Sequence, residues 1–270
     1  MSGFPHFREM KRRGEPIAVL TAYDAPTARA EEAAGVDIIL VGDSVGTAML
    51  GYLSEREVTL ADMCHHTSAV RRGAPKTKII ADLPMHSYDT PESALKSARC
   101  LIAAGADCIK FEGARPDVLG ALASASLEVC CHLGLEPQHH DGKGVKGRRA
   151  AEAARLLRDA IALDDAGMAM LVLELVPEEV AEKVTKSVGA PTIGIGAGRK
   201  TDGQVLVITD VLGFTGANYR HNRRYQDFGR LMLEVAQAYV ADVRANNFPA
   251  AENLFSMDKD ELARFLKENP

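Results

Sequence analysis

The chain has 270 residues, 46% of them apolar and 26% charged, with a net charge of −5. Such a length can bury a large core, and α/β barrels of about 250 residues form a single domain. The acidic balance gives no reason to expect nucleic acid or an anionic membrane as the main partner. The opening Met1-Ser2-Gly3-Phe4-Pro5 lacks the basic-then-apolar order of a secretory signal, and no apolar run reaches membrane-spanning length. Five cysteines, an odd number set in apolar segments, read as reduced thiols in a cytoplasmic protein.

Short apolar runs alternate with longer helical patterns. The runs predict strands over 17–22, 37–42, 78–82, 107–112, 129–132, 169–174, 191–195 and 204–208. Regular β-then-α alternation argues for a parallel sheet, and eight units argue for closure into a (β/α)8 barrel of the TIM type. Between the third and fourth strands a helix is well signalled. Thr90 can cap it, Pro91 takes its first position, and Gly105 follows its end. Ala94, Leu95, Ala98, Leu101 and Ile102 form its apolar stripe. Ala33-Ala34-Gly35-Val36-Asp37, Ala103-Ala104-Gly105-Ala106-Asp107 and Asp165-Ala166-Gly167 echo one another, each ending a helix before a strand. Residues 136–149 and 213–224 read as loops, the first of them mobile, and 225–245 and 258–268 as helices. No domain boundary is visible: 1–270 reads as one barrel domain, with 225–270 as a C-terminal helical extension.

Residues two apart on a strand share a face. By that rule Ile39, Val41 and Asp43 fall together, as do Lys78, Ile80 and Asp82, then Cys108, Lys110 and Glu112, then Met170, Val172 and Glu174. Phe111, Leu171 and Leu173 suit the helix layer, so the charged groups are expected inside, at the C-terminal mouth where barrel enzymes keep their active sites. Four carboxylates and one lysine crowded there would repel without a cation, and hard oxygen donors suit Mg²⁺ better than zinc. Such an ion leaves positions for a 2-oxo acid and stabilises an enolate. The plainer alternative is that each acid caps the next helix. His132 ends the fifth strand on the face of Cys130 and reads equally as a core residue or a site residue. His139 and His140 read as solvated loop residues, and His65 and His66 carry little signal. Gly194-Ile195-Gly196-Ala197-Gly198 departs from the dinucleotide fingerprint and reads as close backbone packing before an anion cradle. Arg220-His221-Asn222-Arg223-Arg224 reads as a solvated face, with contact to a polyanionic cofactor tail as the alternative.

An ordered series of motifs runs through these positions. It comprises Thr21-Ala22-Tyr23-Asp24, Val41-Gly42-Asp43-Ser44, Ala81-Asp82-Leu83-Pro84, Lys110-Phe111-Glu112-Gly113, His132-Leu133-Gly134-Leu135, Leu173-Glu174, Ile193 to Gly198, and Thr201-Asp202-Gly203-Gln204. The series resembles ketopantoate hydroxymethyltransferases, of the phosphoenolpyruvate mutase/isocitrate lyase superfamily, over roughly residues 15–215. The resemblance implies transfer of the one-carbon unit of 5,10-methylenetetrahydrofolate to 3-methyl-2-oxobutanoate, giving 2-dehydropantoate in pantothenate biosynthesis. It implies Mg²⁺ on Asp43 and Asp82, with Glu112 ligating directly or through water. It also implies Ser44 and Lys110 on the oxo acid along with the metal-binding aspartates, Glu174 as the proton-transfer residue, and His132 beside the incoming one-carbon group. A large homo-oligomer is implied as well. Three segments depart from the family pattern. Glu136-Pro137-Gln138 stands for Thr-Pro-Gln, a shorter Gly142-Lys143-Gly144-Val145-Lys146-Gly147 for the usual covering run, and Tyr219-Arg220-His221-Asn222-Arg223 for Pro-Lys-Phe. A relative acting on a different 2-oxo acid therefore stays open. So does a superfamily lyase, although 136–149 lacks the cysteine that those lyases carry in their loop.

Overall fold

The structure is a computed structural model, and it describes residues 4–140, 144–214 and 219–270. The strands are β1 (Ile17–Thr21), β2 (Ile38–Val41), β3 (Lys78–Asp82), β4 (Cys108–Glu112), β5 (Glu128–Gly134), β6 (Met170–Glu174), β7 (Thr192–Ile195) and β8 (Gly203–Leu206). They pair in parallel, in chain order, and β8 returns to β1 to close the barrel. The helices are α1 (Phe4–Arg13), α2 (Ala25–Ala34), α3 (Leu60–Gly73), α4 (Pro91–Ala104), α5 (Pro116–Ser124), α6 (Ala150–Asp165), α7 (Glu178–Ser187), α8 (Ile208–Leu212), α9 (Phe228–Arg244) and α10 (Lys259–Glu268). The expected strands agree with those observed to within a few residues at their ends.

Alternation on the strands divides the apolar side chains into two cores. Ile39, Val41, Ile79, Ala81, Ile109, Phe111, Leu171 and Leu173 pack outward against the helices. Ile17, Val19, Ile38, Leu40, Ile80, Cys108, Cys130, Met170, Val172, Ile193 and Val205 fill the barrel. Phe4, Phe7 and Met10 of α1 join this inner cluster and close one end of the barrel, a role the sequence reading did not foresee. Lys11 fixes that plug by donating to the carbonyls of Thr185 and Ala190 and pairing with Asp202 at 3.0 Å.

The local signals work as the sequence predicts. The Thr90 hydroxyl accepts from the Ser93 N–H, and Gly105 ends α4 at φ 115°. Gly35 and Gly167, its counterparts in the internal echo, also sit at positive φ, which glycine adopts without steric cost. Cys108, Cys130 and Cys131 are buried, but Cys100 is exposed on α4, so not every thiol is sheltered by apolar packing as expected. Among the described residues no helix is long and apolar enough to cross a membrane.

Candidate active site

A cavity of about 710 Å³ opens at the C-terminal mouth, lined among others by Asp43, Ser44, Asp82, Lys110, Glu112, His132 and Glu174. All seven of the expected site residues therefore reach one space. Asp82, Lys110, Glu112, His132 and Glu174 lie on their strands, but Asp43 does not arrive as the alternation rule proposed. Ile38 and Leu40 fill the barrel, while Ile39 and Val41 face the helices. The strand stops at Val41, and the turn through Gly42 swings Asp43 and Ser44 inward. A residue two past Val41 on a continued strand would have pointed outward, so the correct destination had the wrong reason. At Gly42 a Cβ would lie 2.8 Å from the Ser44 hydroxyl and would displace it from its place in the cavity.

On the β2–β4 side the polar groups bind one another tightly. Lys110 Nζ lies 2.9 Å from Asp82 Oδ1. Asp82 Oδ2 accepts from the Asp43 N–H at 3.1 Å. Asp43 and Asp82 are 5% and 2% exposed, so solvent screens neither carboxylate. Burial, then the charges of Asp82 and Glu112, push the Asp43 carboxyl well above the usual range. Burial would lower the Lys110 pKa, but Asp82, Asp43 and Glu112 overcome it and hold the ammonium charged. Ser44 shares a 2.8 Å hydrogen bond with the Tyr23 hydroxyl, whose own pKa burial raises.

On the β5–β6 side His132 stands between two acids. Its Nδ1 is 3.3 Å from Glu112 Oε1 and its Nε2 is 3.4 Å from Glu174 Oε2. Neither contact has hydrogen-bond alignment, and both ring nitrogens are buried without such a partner. Burial lowers the imidazole pKa, but the two carboxylates outweigh it and hold it at about 9. For Glu112 burial acts upward, and His132, Lys110 and the Gln138 N–H more than offset it, leaving the carboxyl below its ordinary range. The next residue after Glu174, Leu175, has φ 46°, a conformation that costs a branched side chain about 1 kcal/mol or more. Its carbonyl accepts from Lys146 N–H and its N–H donates to the Ile195 carbonyl, so the strained turn is held at both ends.

The oxygen donors suit a hard divalent cation. Asp82 Oδ1 is buried and meets only the Lys110 ammonium, without an aligned hydrogen bond, so it keeps lone-pair capacity for a cation. Yet among the described residues no group of three or more His, Cys, Asp or Glu side chains is arranged to hold an ion by itself. Glu112 explains this: one of its oxygens accepts from the Gln138 N–H at 2.9 Å and the other faces His132. The donor set therefore centres on two aspartates, with Glu112 turned aside.

Other expectations resolve simply. The glycines in and just after β7 are packing positions: added Cβ atoms would meet Thr201 from Gly194, Leu175 from Gly196 and Glu178 from Gly198, each within 3 Å. Tyr219, Arg220 and His221 line the cavity, so part of the basic stretch faces the site. Arg223 instead stacks on Tyr225 at 4.9 Å. His140 lines the cavity, and His139 is exposed but bound to Tyr88. The expected mobile loop falls partly on 141–143, which lie outside the described residues, as do 215–218 of the second irregular stretch. Sequence reasoning missed Gln138 and Tyr88 as site residues. Both are uncharged, and only the inclusion of Gln138 in a family motif hinted at it.

Comparison with known proteins adds what geometry cannot. Residues 2–251 match the family described as ketopantoate hydroxymethyltransferase. The chain belongs to the ketopantoate hydroxymethyltransferase family. It is 45% identical to the 3-methyl-2-oxobutanoate hydroxymethyltransferase of Geobacillus sp. (strain WCH70), over 94% of each chain. It is 47% identical to the protein of that name from Thermus thermophilus, over 92% of this chain and 97% of the other. Among solved structures, a phosphonopyruvate hydrolase complexed with oxalate and Mg²⁺ shares the fold at a TM-score of 0.62 and 13% identity, over 100% of this chain and 99% of the other. A 2,3-dimethylmalate lyase of the phosphoenolpyruvate mutase/isocitrate lyase superfamily does so at 0.58 and 16%, over 100% and 96%. These likenesses show a shared barrel fold.

Proposed function

We propose that this family member transfers the one-carbon unit of 5,10-methylenetetrahydrofolate to 3-methyl-2-oxobutanoate, with uptake of water, to form 2-dehydropantoate for pantothenate biosynthesis. The observation that carries the reading is the shared cavity: the buried Asp43–Asp82 pair and the partly exposed Glu174 face one space. Asp43 and Asp82 would hold Mg²⁺, with Glu112 acting through water. Bound there, the ion supplies Lewis-acid stabilisation of charge on the keto oxygen. Ser44 and Lys110 bind the oxo acid beside the two aspartates. Glu174 takes the proton from C3, and the electron pair left behind moves toward the keto oxygen, within the field of Lys110. Water displaces the one-carbon unit from the two folate nitrogens, which keep the protons as tetrahydrofolate leaves. C3 then bonds to that carbon and its oxygen takes up a proton as the hydroxymethyl group, while His132 steadies the Glu174 carboxylate next to it. Tyr219, Arg220 and His221 give the donor's anionic tail a basic wall.

The reading extends to the whole chain: one barrel domain with a C-terminal extension, working in the cytoplasm on small molecules as a homo-oligomer. Free cysteines throughout suit a reducing compartment. Contacts between copies are supported by two surfaces. No residue of α9 or α10 is buried, and both helices carry exposed apolar side chains such as Leu233, Val235 and Phe265. Ala18 on β1 and Gln204 on β8 are exposed, so the outer face of the barrel is uncovered there.

Proton–deuterium exchange at C3 of 3-methyl-2-oxobutanoate, followed by NMR in D₂O with Mg²⁺ and no folate, tests the oxo-acid half of the reading. Metal-dependent exchange is expected. Exchange of a different 2-oxo acid alone would reassign the substrate.

A further inference from the structure

Gln138 follows β5 in a segment otherwise read as covering loop, yet it is 1% exposed and touches the ends of three strands. Its side-chain amide donates to Asp43 Oδ2 at 2.7 Å and to the Leu83 carbonyl at 3.0 Å. Its backbone N–H donates to Glu112 Oε2 at 2.9 Å. Its amide oxygen accepts from the Tyr88 hydroxyl at 2.5 Å. One residue thus ties the ends of β2, β3 and β4 together at the mouth.

The orientation of this amide follows from chemistry. A backbone carbonyl only accepts, so the Gln138 atom facing Leu83 must be the nitrogen. The oxygen must then face Tyr88, and the Tyr88 hydroxyl must donate to it. That hydroxyl keeps a lone pair for His139 Nε2, 2.9 Å away. Donation therefore runs one way, from His139 through Tyr88 and Gln138 to Asp43. Its end point is Asp43 Oδ2, which must accept, so the other oxygen of Asp43 is the one left to the cavity. Glu112 is treated alike: the Gln138 N–H occupies Oε2 and leaves Oε1 toward His132.

We propose that Gln138 is a positioning residue that selects which oxygen of Asp43 meets the divalent cation and keeps Glu112 out of direct ligation, with Tyr88 fixing the orientation of its amide. The proposal rests on the reading of Asp43 as a metal ligand. Outer partners of this kind, when removed, weaken metal binding by about 10- to 100-fold. A residue serving only to fill space would give a different result, because an isosteric apolar side chain would replace it without loss of metal affinity.

The test is titration calorimetry of the full chain with MgCl₂ alone, on the wild type, Gln138→Met and Tyr88→Phe, with thermal melting in the absence of Mg²⁺ as a folding control. Gln138→Met is expected to raise the Mg²⁺ dissociation constant about tenfold or more. Tyr88→Phe, which removes one oxygen and keeps the ring, is expected to move it the same way by about threefold. Excess Mg²⁺ restores C3 exchange in both. Wild-type affinity in either folded variant overturns the proposal and leaves the metal reading standing. Failure of the wild type itself to bind Mg²⁺ removes the metal reading and the proposal with it. If Gln138→Met does not fold, Tyr88→Phe decides alone.

Discussion

The two sides of the mouth are built differently. Toward β2–β4, Asp43, Asp82, Lys110 and Gln138 are joined by hydrogen bonds and an ion pair, only Asp82 Oδ1 lacking an aligned bond, and the Gln138 amide has both its nitrogen and its oxygen engaged. Toward β5–β6, His132 has neither ring nitrogen properly bonded, Glu174 stays partly open, and Leu175 is held in a strained conformation. A fully bonded polar network is rigid, whereas unmet groups in a cavity are held ready for a partner that arrives. On the proposed reading, the difference separates a side that fixes position from a side that moves protons.

Substitutions on either side should break the contrast in distinct ways. Glu174→Gln should give the largest loss, about 10³-fold in C3 exchange with oxo-acid binding kept, since general-base loss costs about 10²–10⁴-fold. Undiminished exchange would take Glu174 out of the chemistry. Asp82→Ala should weaken Mg²⁺ binding about 100-fold by calorimetry, and an unchanged isotherm would contradict its role. His132→Gln should cost about tenfold in kcat with little change in KM. An equal rise in KM would instead place His132 in substrate binding.

The smallest effect on turnover should come from Glu31, an unmet acid on α2 that does not line the cavity. It is 4% exposed with both oxygens lacking partners, and burial, then Asp24, raises its carboxyl from 4.5 to about 8. A folded pKa above the unfolded one means that folding favours the proton. Stability linked to Glu31 is then fully present below about 4.5 and is lost as pH rises toward 8. Glu31→Gln should leave melting unchanged at acid pH, raise stability by about 2–4 kcal/mol above pH 8, and leave kcat alone. A turnover defect would show that an unmet group away from the cavity also serves the reaction.

The barrel was legible because eight short apolar runs and their glycine stops recur, and local capping at Thr90 and Gly105 needed no tertiary information. Lys110, Glu112 and Glu174 were legible because their strands run straight to them. Asp43 was not, because its direction depends on where β2 ends. Tyr88 was invisible, and Gln138 was marked only by its motif, for another reason: neutral side chains acquire their role only from neighbours brought in by folding. The plug α1 was missed because Phe4, Phe7 and Met10 make too short a pattern to stand apart from an ordinary leading segment.

Gly203 closes the ring against Ile17, and a Cβ there would lie 2.3 Å from the Ile17 carbonyl oxygen. The first and last staves are separated by most of the polypeptide, so the ribosome must release nearly all of it before they can join. Until then the acids at the rim have no enclosure to crowd them, and a nascent fragment should capture neither ion nor oxo acid. Closure of one backbone seam thereby acts as a checkpoint for the birth of the catalyst, and a single methyl group at Gly203 would be enough to obstruct it.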